Sequence, residues 1–219
     1  MSTTAALALG LTLIGLAAFL YGERRGRRDV VWVAKPAASF GFLALAWFQG
    51  APQHAVGQAL LVALLLSFWG DVLLIPKNPK AFLAGLGSFL LGHVGFAAAF
   101  WMRGLDASAT ALAAAATVPI VVIVARWLLP HVHGPMKPPV LAYMIVISLM
   151  VAASIGTALR DGMDAVAWQW PAAAVMFFVS DLSVARDRFV APGFDNRVWG
   201  LPLYYGAQIW FALLAVPGA

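Results

Sequence analysis

The sequence predicts an all-α polytopic membrane protein. It reads as a bundle of eight transmembrane helices in one domain over residues 1–219, with both termini on the non-cytoplasmic side. Three observations predict it. The first is composition: 63% of the 219 residues are hydrophobic and 11% are charged. Average soluble domains are about 45–50% apolar and about 25% charged, and a soluble globule of this size cannot hide so much apolar surface. The second is that the apolar residues fall into runs of about 20, the length that crosses a bilayer. The third is that the basic residues collect on alternate loops.

The runs, in order, are Thr3–Tyr21, Val30–Gln49, Ala55–Ile75, Lys80–Trp101, Ala107–Leu129, Pro138–Ala158, Val166–Ala185 and Trp199–Val216. No Lys or Arg precedes the first run, and Arg24, Arg25, Arg27 and Arg28 follow it. That is the pattern of an uncleaved first helix rather than a signal peptide. Pro119 interrupts the fifth run, which a membrane helix tolerates when neighbours satisfy the freed backbone.

Loops after the odd-numbered runs hold Arg24, Arg25, Arg27, Arg28, Lys77, Lys80, Arg126, Lys137, Arg186, Arg188 and Arg197, with Lys35 just inside on the same side. The other loops hold only Arg103 and Arg160. The positive-inside rule then makes the odd loops cytoplasmic, and an even span count agrees with termini on one side. The net charge of +5 reflects this bias, so no nucleic-acid partner is expected. With no cysteine, disulfide frameworks and thiolate zinc sites are excluded. His131 and His133 are spaced for a metal but have no clear carboxylate partner, so no metal site is expected.

A weak internal repeat suggests two four-helix halves. Lys35-Pro36 and Lys137-Pro138 open runs two and six, while Phe68-Trp69-Gly70-Asp71 and Phe178-Val179-Ser180-Asp181 lie in runs three and seven.

Ionisable groups within a bilayer are costly, at least about 2.5–3.5 kcal/mol at its centre, and turn inward to a functional site by default. The candidates are Asp71 and Asp181 as catalytic acids or bases. Lys35, His93, Tyr143, Tyr204, Tyr205 and Gln208 are supporting or substrate-binding groups. Counted from the span ends, Lys35, Asp71, Tyr143, Asp181 and Tyr204 share a layer roughly 6–8 Å below the cytoplasmic surface. His93 is deeper, and Gln208 lies between. Plainer roles exist for each. Lys35 can snorkel to the headgroups, the aspartates can pair with Lys77 or Arg186, and His93 can bond between helices. The tyrosines can anchor at the interface. Asp187, Asp195 and Arg197 read as solvated loop residues, and Arg160-Asp161 as an exposed turn.

Two carboxylates in a partly apolar site can hold different protonation states, one donating a proton while the other accepts. That division suits acid-catalysed attack of water on an ether-type carbon. No Gly-x-Ser-x-Gly elbow, cysteine nucleophile or His-Glu-x-x-His helix is present. Ser88 and His93 are five apart, a poor spacing for sharing a helix face.

Lys35-Pro36, Ser67-Phe68-Trp69-Gly70-Asp71, Gly85 through Phe89, His93, Tyr143, Ser180-Asp181-x-x-x-Ala185 and Tyr204-Tyr205-Gly206-Ala207-Gln208 together resemble the YhhN family. The resemblance runs from the second span to the eighth. It implies a lysoplasmalogenase: an integral membrane hydrolase of the vinyl ether bond of lysoplasmenylcholine or lysoplasmenylethanolamine, giving a fatty aldehyde and the glycerophosphodiester. The implied partners are a lysophospholipid substrate, the bilayer and water as co-substrate, with no cofactor. On this reading one aspartate protonates the vinyl carbon and the other activates water. Lys35 or Arg186 holds the phosphate, and Tyr204, Tyr205 and Gln208 orient water or the glycerol. A transporter, a non-catalytic lipid-binding protein and a hydrolase of another lipid are the rivals. The Ala- and Arg-rich composition suits a high-GC bacterium and its cytoplasmic membrane.

Overall fold

The computed structural model describes residues 2–162, 164 and 166–216. Among them are eight α-helices and no strand: α1 Thr3–Arg25, α2 Arg28–Phe48, α3 Ala55–Leu73, α4 Pro79–Arg103, α5 Ala107–Leu128, α6 Lys137–Arg160, α7 Gln169–Ala185 and α8 Phe194–Leu213. Each predicted run holds one helix. Six of them, α1 to α6, are long and apolar enough to cross a membrane, the last two taken with their adjoining 3-10 turns.

Local chemistry sets the ends. Asn78 accepts from the Ala81 N–H at 2.8 Å, with Pro79 opening the first turn of α4. Asp106 caps α5 through the Ala109 N–H, also at 2.8 Å. Gly26 ends α1 at a φ of +66°, a left-handed turn suited to glycine, and the chain turns straight into α2. His54 stands just before α3. It caps α3 by accepting from the Gly57 N–H, and its other ring nitrogen reaches the Ala215 carbonyl beyond α8. Pro119 does not break α5, which runs through it.

Burial is inverted relative to a soluble protein. Ile14, Leu7, Leu112 and Trp101 are each about 70% exposed, whereas Lys35, Asp71 and His93 are buried. Apolar side chains therefore coat the outside, and the buried ionisable groups turn inward within a mostly apolar core, the arrangement a hydrocarbon solvent favours. The protein is an integral helical membrane protein. In lipid, small residues let helices approach closely. Along α1 the buried positions are Ala5, Ala8, Thr12, Gly15, Phe19 and Gly22, one stripe facing α2.

Gly41 of α2 is the tightest point of that seam. A Cβ there would strike Thr12 Oγ1 and stand 2.7 Å from the Thr12 nitrogen and 2.9 Å from the Ala8 carbonyl. Backbone cannot swing aside as a long side chain can. Gly41→Leu is therefore expected to destabilise the protein by about 2–3 kcal/mol, read as a lower thermal midpoint in detergent. Gly87→Leu, where nothing lies within 4 Å, is the control and should leave the midpoint in place.

Packing follows a repeated scheme. The pairs α1–α2 and α3–α4 in the first half match α5–α6 and α7–α8 in the second, and α2–α3 matches α6–α7. Across the halves, α4 packs on α6 as α8 packs on α2. Two relations break the scheme: α3 touches α8 where α7 has no comparable packing on α4, and α1 packs on α8 where α5 has no comparable packing on α4. A cavity occupies that loose seam, with Leu86 of α4 and Val121, Val124 and Leu128 of α5 on its walls. The lysine-proline part of the repeat fails in space. Lys137 is the exposed first residue of α6, whereas Lys35 is buried about two turns into α2.

Candidate active site

Two carboxylates, Asp71 on α3 and Asp181 on α7, line the same cavity of about 130 Å³. Each is held by side chains from two other helices, and the helices correspond under the repeated packing. Asp71 is held from α2 and α8, Asp181 from α6 and α4.

Asp71 is fully compensated. Lys35 Nζ lies 3.2 Å from Oδ1. The Ser39 and Tyr204 hydroxyls each donate to Oδ2 at 2.6 Å. Lys35 and Ser39 share a face of α2 because they are four residues apart. With the Ser39 proton directed at Asp71, its oxygen accepts from the Tyr205 hydroxyl at 3.2 Å. Tyr205 thus stands behind Asp71 as a support, and it does not line the cavity. A lysine and two hydroxyls thus leave neither Asp71 oxygen without a partner. Gly70 precedes Asp71 for a steric reason: a Cβ there would stand 2.6 Å from the Phe89 ring, so glycine lets α4 seat that ring beside the acid.

Asp181 is less committed. Its Oδ2 accepts from the Tyr143 hydroxyl at 2.8 Å and lies 3.3 Å from His93 Nε2. Oδ1 has no partner among the described residues, and the side chain is 18% exposed, against 4% for Asp71. His93 Nδ1 is 2.7 Å from the Phe89 carbonyl oxygen, which only accepts, so the proton belongs on Nδ1. Nε2 is then bare in the neutral ring. It sits at ion-pair distance from the carboxylate without hydrogen-bond alignment.

Aromatic rings separate the two acids. Phe89, Phe177 and Tyr204 pack edge to face with centroids 5.4–6.2 Å apart, and His93 lies 4.5 Å from Phe177. Beyond them the cavity continues as an apolar arm of Leu86, Val124, Leu128, Val140, Met144 and Phe189. The cavity thus combines ionisable groups with apolar walls. Its electrostatics suit protonation of a substrate carbon or oxygen, followed by stabilisation of positive charge.

The structure thus brings together Lys35, Asp71, Tyr143, Asp181 and Tyr204 at the cavity, with His93 and Tyr205 directly behind the acids. Gln208 is not among them. It is fully buried on α8, and neither its oxygen nor its nitrogen meets a protein partner. Ser88 donates to the Leu66 carbonyl rather than to His93, so no serine-histidine pair forms. Lys35 neither snorkels nor stays free for a phosphate, because it is paired with Asp71.

Ser39 was not singled out from sequence. Its spacing from Lys35 was the available signal. Asp187 and Arg197 are not merely solvated: Arg197 joins Glu23 at 2.6 Å and Asp187 at 3.1 Å, tying α8 to α1. Asp161 is likewise a tie, 2.6 Å from Arg103 at the far ends of α6 and α4.

Comparisons with known proteins agree with this architecture. The chain is 30% identical over 193 residues to "Lysoplasmalogenase TMEM86A" of Bos taurus, covering 85% of this chain and 73% of that one. It is 32% identical over 160 residues to a Mycobacterium tuberculosis (strain CDC 1551 / Oshkosh) protein named "Lysoplasmalogenase", covering 69% and 58%. It is 30% identical over 187 residues to human "Lysoplasmalogenase TMEM86B", covering 84% and 76%. No solved structure matches. The YhhN family matches residues 30–215, a stretch that starts in the first turn of α2, ends just past α8 and contains every residue of the two acid clusters; the chain belongs to the YhhN family.

Proposed function

We propose that this protein is a membrane-embedded hydrolase of the vinyl ether bond of lysoplasmalogens, acting through Asp181 and Asp71. The products are a fatty aldehyde and glycerophosphocholine or glycerophosphoethanolamine. The observation that carries the reading is the unequal compensation of two carboxylates on one amphiphilic cavity: Asp71 fully paired, Asp181 with an oxygen free. The names of the relatives support the reaction class.

Asp181 is the acid. His93 Nε2 lies 3.3 Å from the Asp181 carboxylate, close enough for the two to pass a proton between them. Asp181 delivers it to the vinyl carbon remote from oxygen. The double-bond electrons form the new C–H bond, and the carbon bearing oxygen becomes an oxocarbenium ion. Asp71, paired with Lys35, stabilises that charge, and the faces of Phe89, Phe177 and Tyr204 add to it. Water then adds to the oxocarbenium carbon and gives its proton to the Asp181 carboxylate, restoring the acid. The hemiacetal collapses, its hydroxyl proton passing to the departing glycerol oxygen. Water activation falls to Asp181 because both Asp71 oxygens are occupied. Tyr143 orients Asp181, and no cofactor enters the scheme.

This reading carries eight crossings, with α7 and α8 as the last two and both termini on the non-cytoplasmic side. The distribution of basic residues supports it, and on this reading the acids lie in the cytoplasmic half of the membrane, taken as a bacterial cytoplasmic membrane.

Turnover of lysoplasmenylethanolamine in D2O tests the chemistry. The expected aldehyde carries one deuterium on the carbon next to the carbonyl, trapped by borohydride before it exchanges. Aldehyde without that deuterium rules out carbon protonation. A folded protein that binds the lysolipid but releases no aldehyde rules out the activity.

A further inference from the structure

We propose that Arg188 is the phosphate-binding residue at the cavity mouth, recognising the phosphodiester of a lysophospholipid. The proposal rests on the lipid-hydrolase reading above. After α7 the helix widens into a π-helical turn, Arg186–Val190, beside the cavity. Phe189 of this turn lines the cavity and packs edge-on against Phe82 of α4 at 5.9 Å. The Arg188 guanidinium lies 4.4 Å from the centroid of that same Phe82 ring. Its flat face is therefore covered, while its N–H groups point along the plane of the fork, the edge that meets a phosphate in a bidentate pair.

The turn itself is anchored. Asp187 accepts from the Gly193 N–H at 2.9 Å and pairs with Arg197 at 3.1 Å.

Arg188 differs from Lys35, Arg186 and Arg197 in being uncommitted. Lys35 holds Asp71, Arg197 is shared by Glu23 and Asp187, and Arg186 donates to the Asn196 side chain. Arg188 has no acidic partner among the described residues and is exposed. This reassigns the phosphate from Lys35 or Arg186, the two residues the sequence offered.

The spacing also fits. Seven residues separate Asp181 from Arg188, roughly 10 Å along a helix. In a lysoplasmalogen the carbon to be protonated is seven bonds from phosphorus, roughly 8–9 Å when extended. An acid at one end and a guanidinium at the other can hold one molecule by its reacting bond and its headgroup, leaving the alkenyl chain for the apolar arm.

The test uses the full-length protein in a phosphate-free maltoside detergent, so that the substrate supplies the only phosphate. Lysoplasmenylethanolamine is compared with a phosphate-free 1-alkenylglycerol. Arg188→Gln is expected to raise KM for the phospholipid roughly tenfold, with the loss in kcat/KM falling on KM rather than on kcat. Discrimination between the two substrates should collapse, and Arg188→Lys should recover part of it. Arg24→Gln, an exposed cation outside the site, controls for net charge.

Equal losses on both substrates, or no change in KM, overturn the proposal. So does an effect that appears only after bulk phosphatidylglycerol is added, since that assigns Arg188 to the bilayer. If the wild type releases no aldehyde, the hydrolase reading fails by itself. Arg188 is then judged by binding of lysophosphatidylethanolamine against monoacylglycerol: selective weakening supports it, and equal weakening overturns it.

Discussion

Asp71→Asn will abolish aldehyde release, a fall on the order of a thousandfold, and will also make the protein easier to unfold. The two effects have one origin. Lys35 and Asp71 are almost sealed from solvent, at 8% and 4% side-chain exposure, and are 3.2 Å apart. Removing one charge leaves the other buried without its counter-ion, which costs about 3–5 kcal/mol. A dead variant would then be ambiguous, because loss of fold and loss of chemistry look alike in an activity assay. The double variant Lys35→Met with Asp71→Asn separates them. Both charges leave together, and an apolar side chain of similar length fills the lysine's place. Its thermal midpoint in detergent should return most of the way to wild type, since replacing both partners of a buried pair is often neutral. Its activity should not return, because nothing negative then faces the developing positive charge. Activity of the double variant within tenfold of wild type would remove Asp71 from the mechanism.

That five polar groups gather in one place was legible in the sequence, but the direction each faces was not. Counting residues from a span end gives a height along the membrane normal, and that sufficed to collect Lys35, Asp71, Tyr143, Asp181 and Tyr204 in one layer. All five line the same cavity. Height says nothing about azimuth. Gln208 has the right chemistry one turn from Tyr204, yet it lies off the cavity, with its amide meeting no protein partner. The partners of each acid depend on which helices neighbour each other, and that is set by small-residue seams such as Gly41 against Thr12 rather than by polarity. Ser39 escaped notice because a serine in a membrane helix can satisfy itself on its own backbone. Its oxygen does lie 3.1 Å from the Lys35 carbonyl while its proton serves Asp71. Loop charges were the least legible. Whether Arg197 is solvated or clamped between Glu23 and Asp187 depends on where three separate helix ends meet.

The repeated packing explains why the acids come as a matched pair with unmatched roles. α3 and α7 occupy corresponding places, and each presents an aspartate to two flanking helices. The flanking residues have diverged. A lysine and a serine face Asp71 from α2 where a tyrosine alone faces Asp181 from α6, and Tyr204 faces the first acid where His93 faces the second. A lysine fixes a charge, whereas a histidine can pass a proton. The departure from symmetry at α4–α5 coincides with the cavity that both acids line.

Asp181→Asn should therefore behave unlike Asp71→Asn. The expected loss of activity is again large, on the order of 10³-fold or more, within what a positioned general acid contributes. The expected loss of stability is small, about 1 kcal/mol or less. Asparagine keeps a carbonyl oxygen to accept from Tyr143, and no lysine is left behind unpaired. Substrate should still bind, because the proposed phosphate contact and the apolar arm are untouched. The variant should consequently trap lysoplasmenylethanolamine, seen as a bound lipid of the substrate's mass by native mass spectrometry. His93→Gln should fall between, slower by about 10- to 100-fold, because it removes the proton's second resting place while leaving the acid itself. A stability loss for Asp181→Asn as large as that for Asp71→Asn would show that both aspartates are structural ion-pair partners. Turnover by a folded Asp181→Asn protein would require another proton donor, and Tyr143, already 2.8 Å from that carboxylate, is the next group to replace.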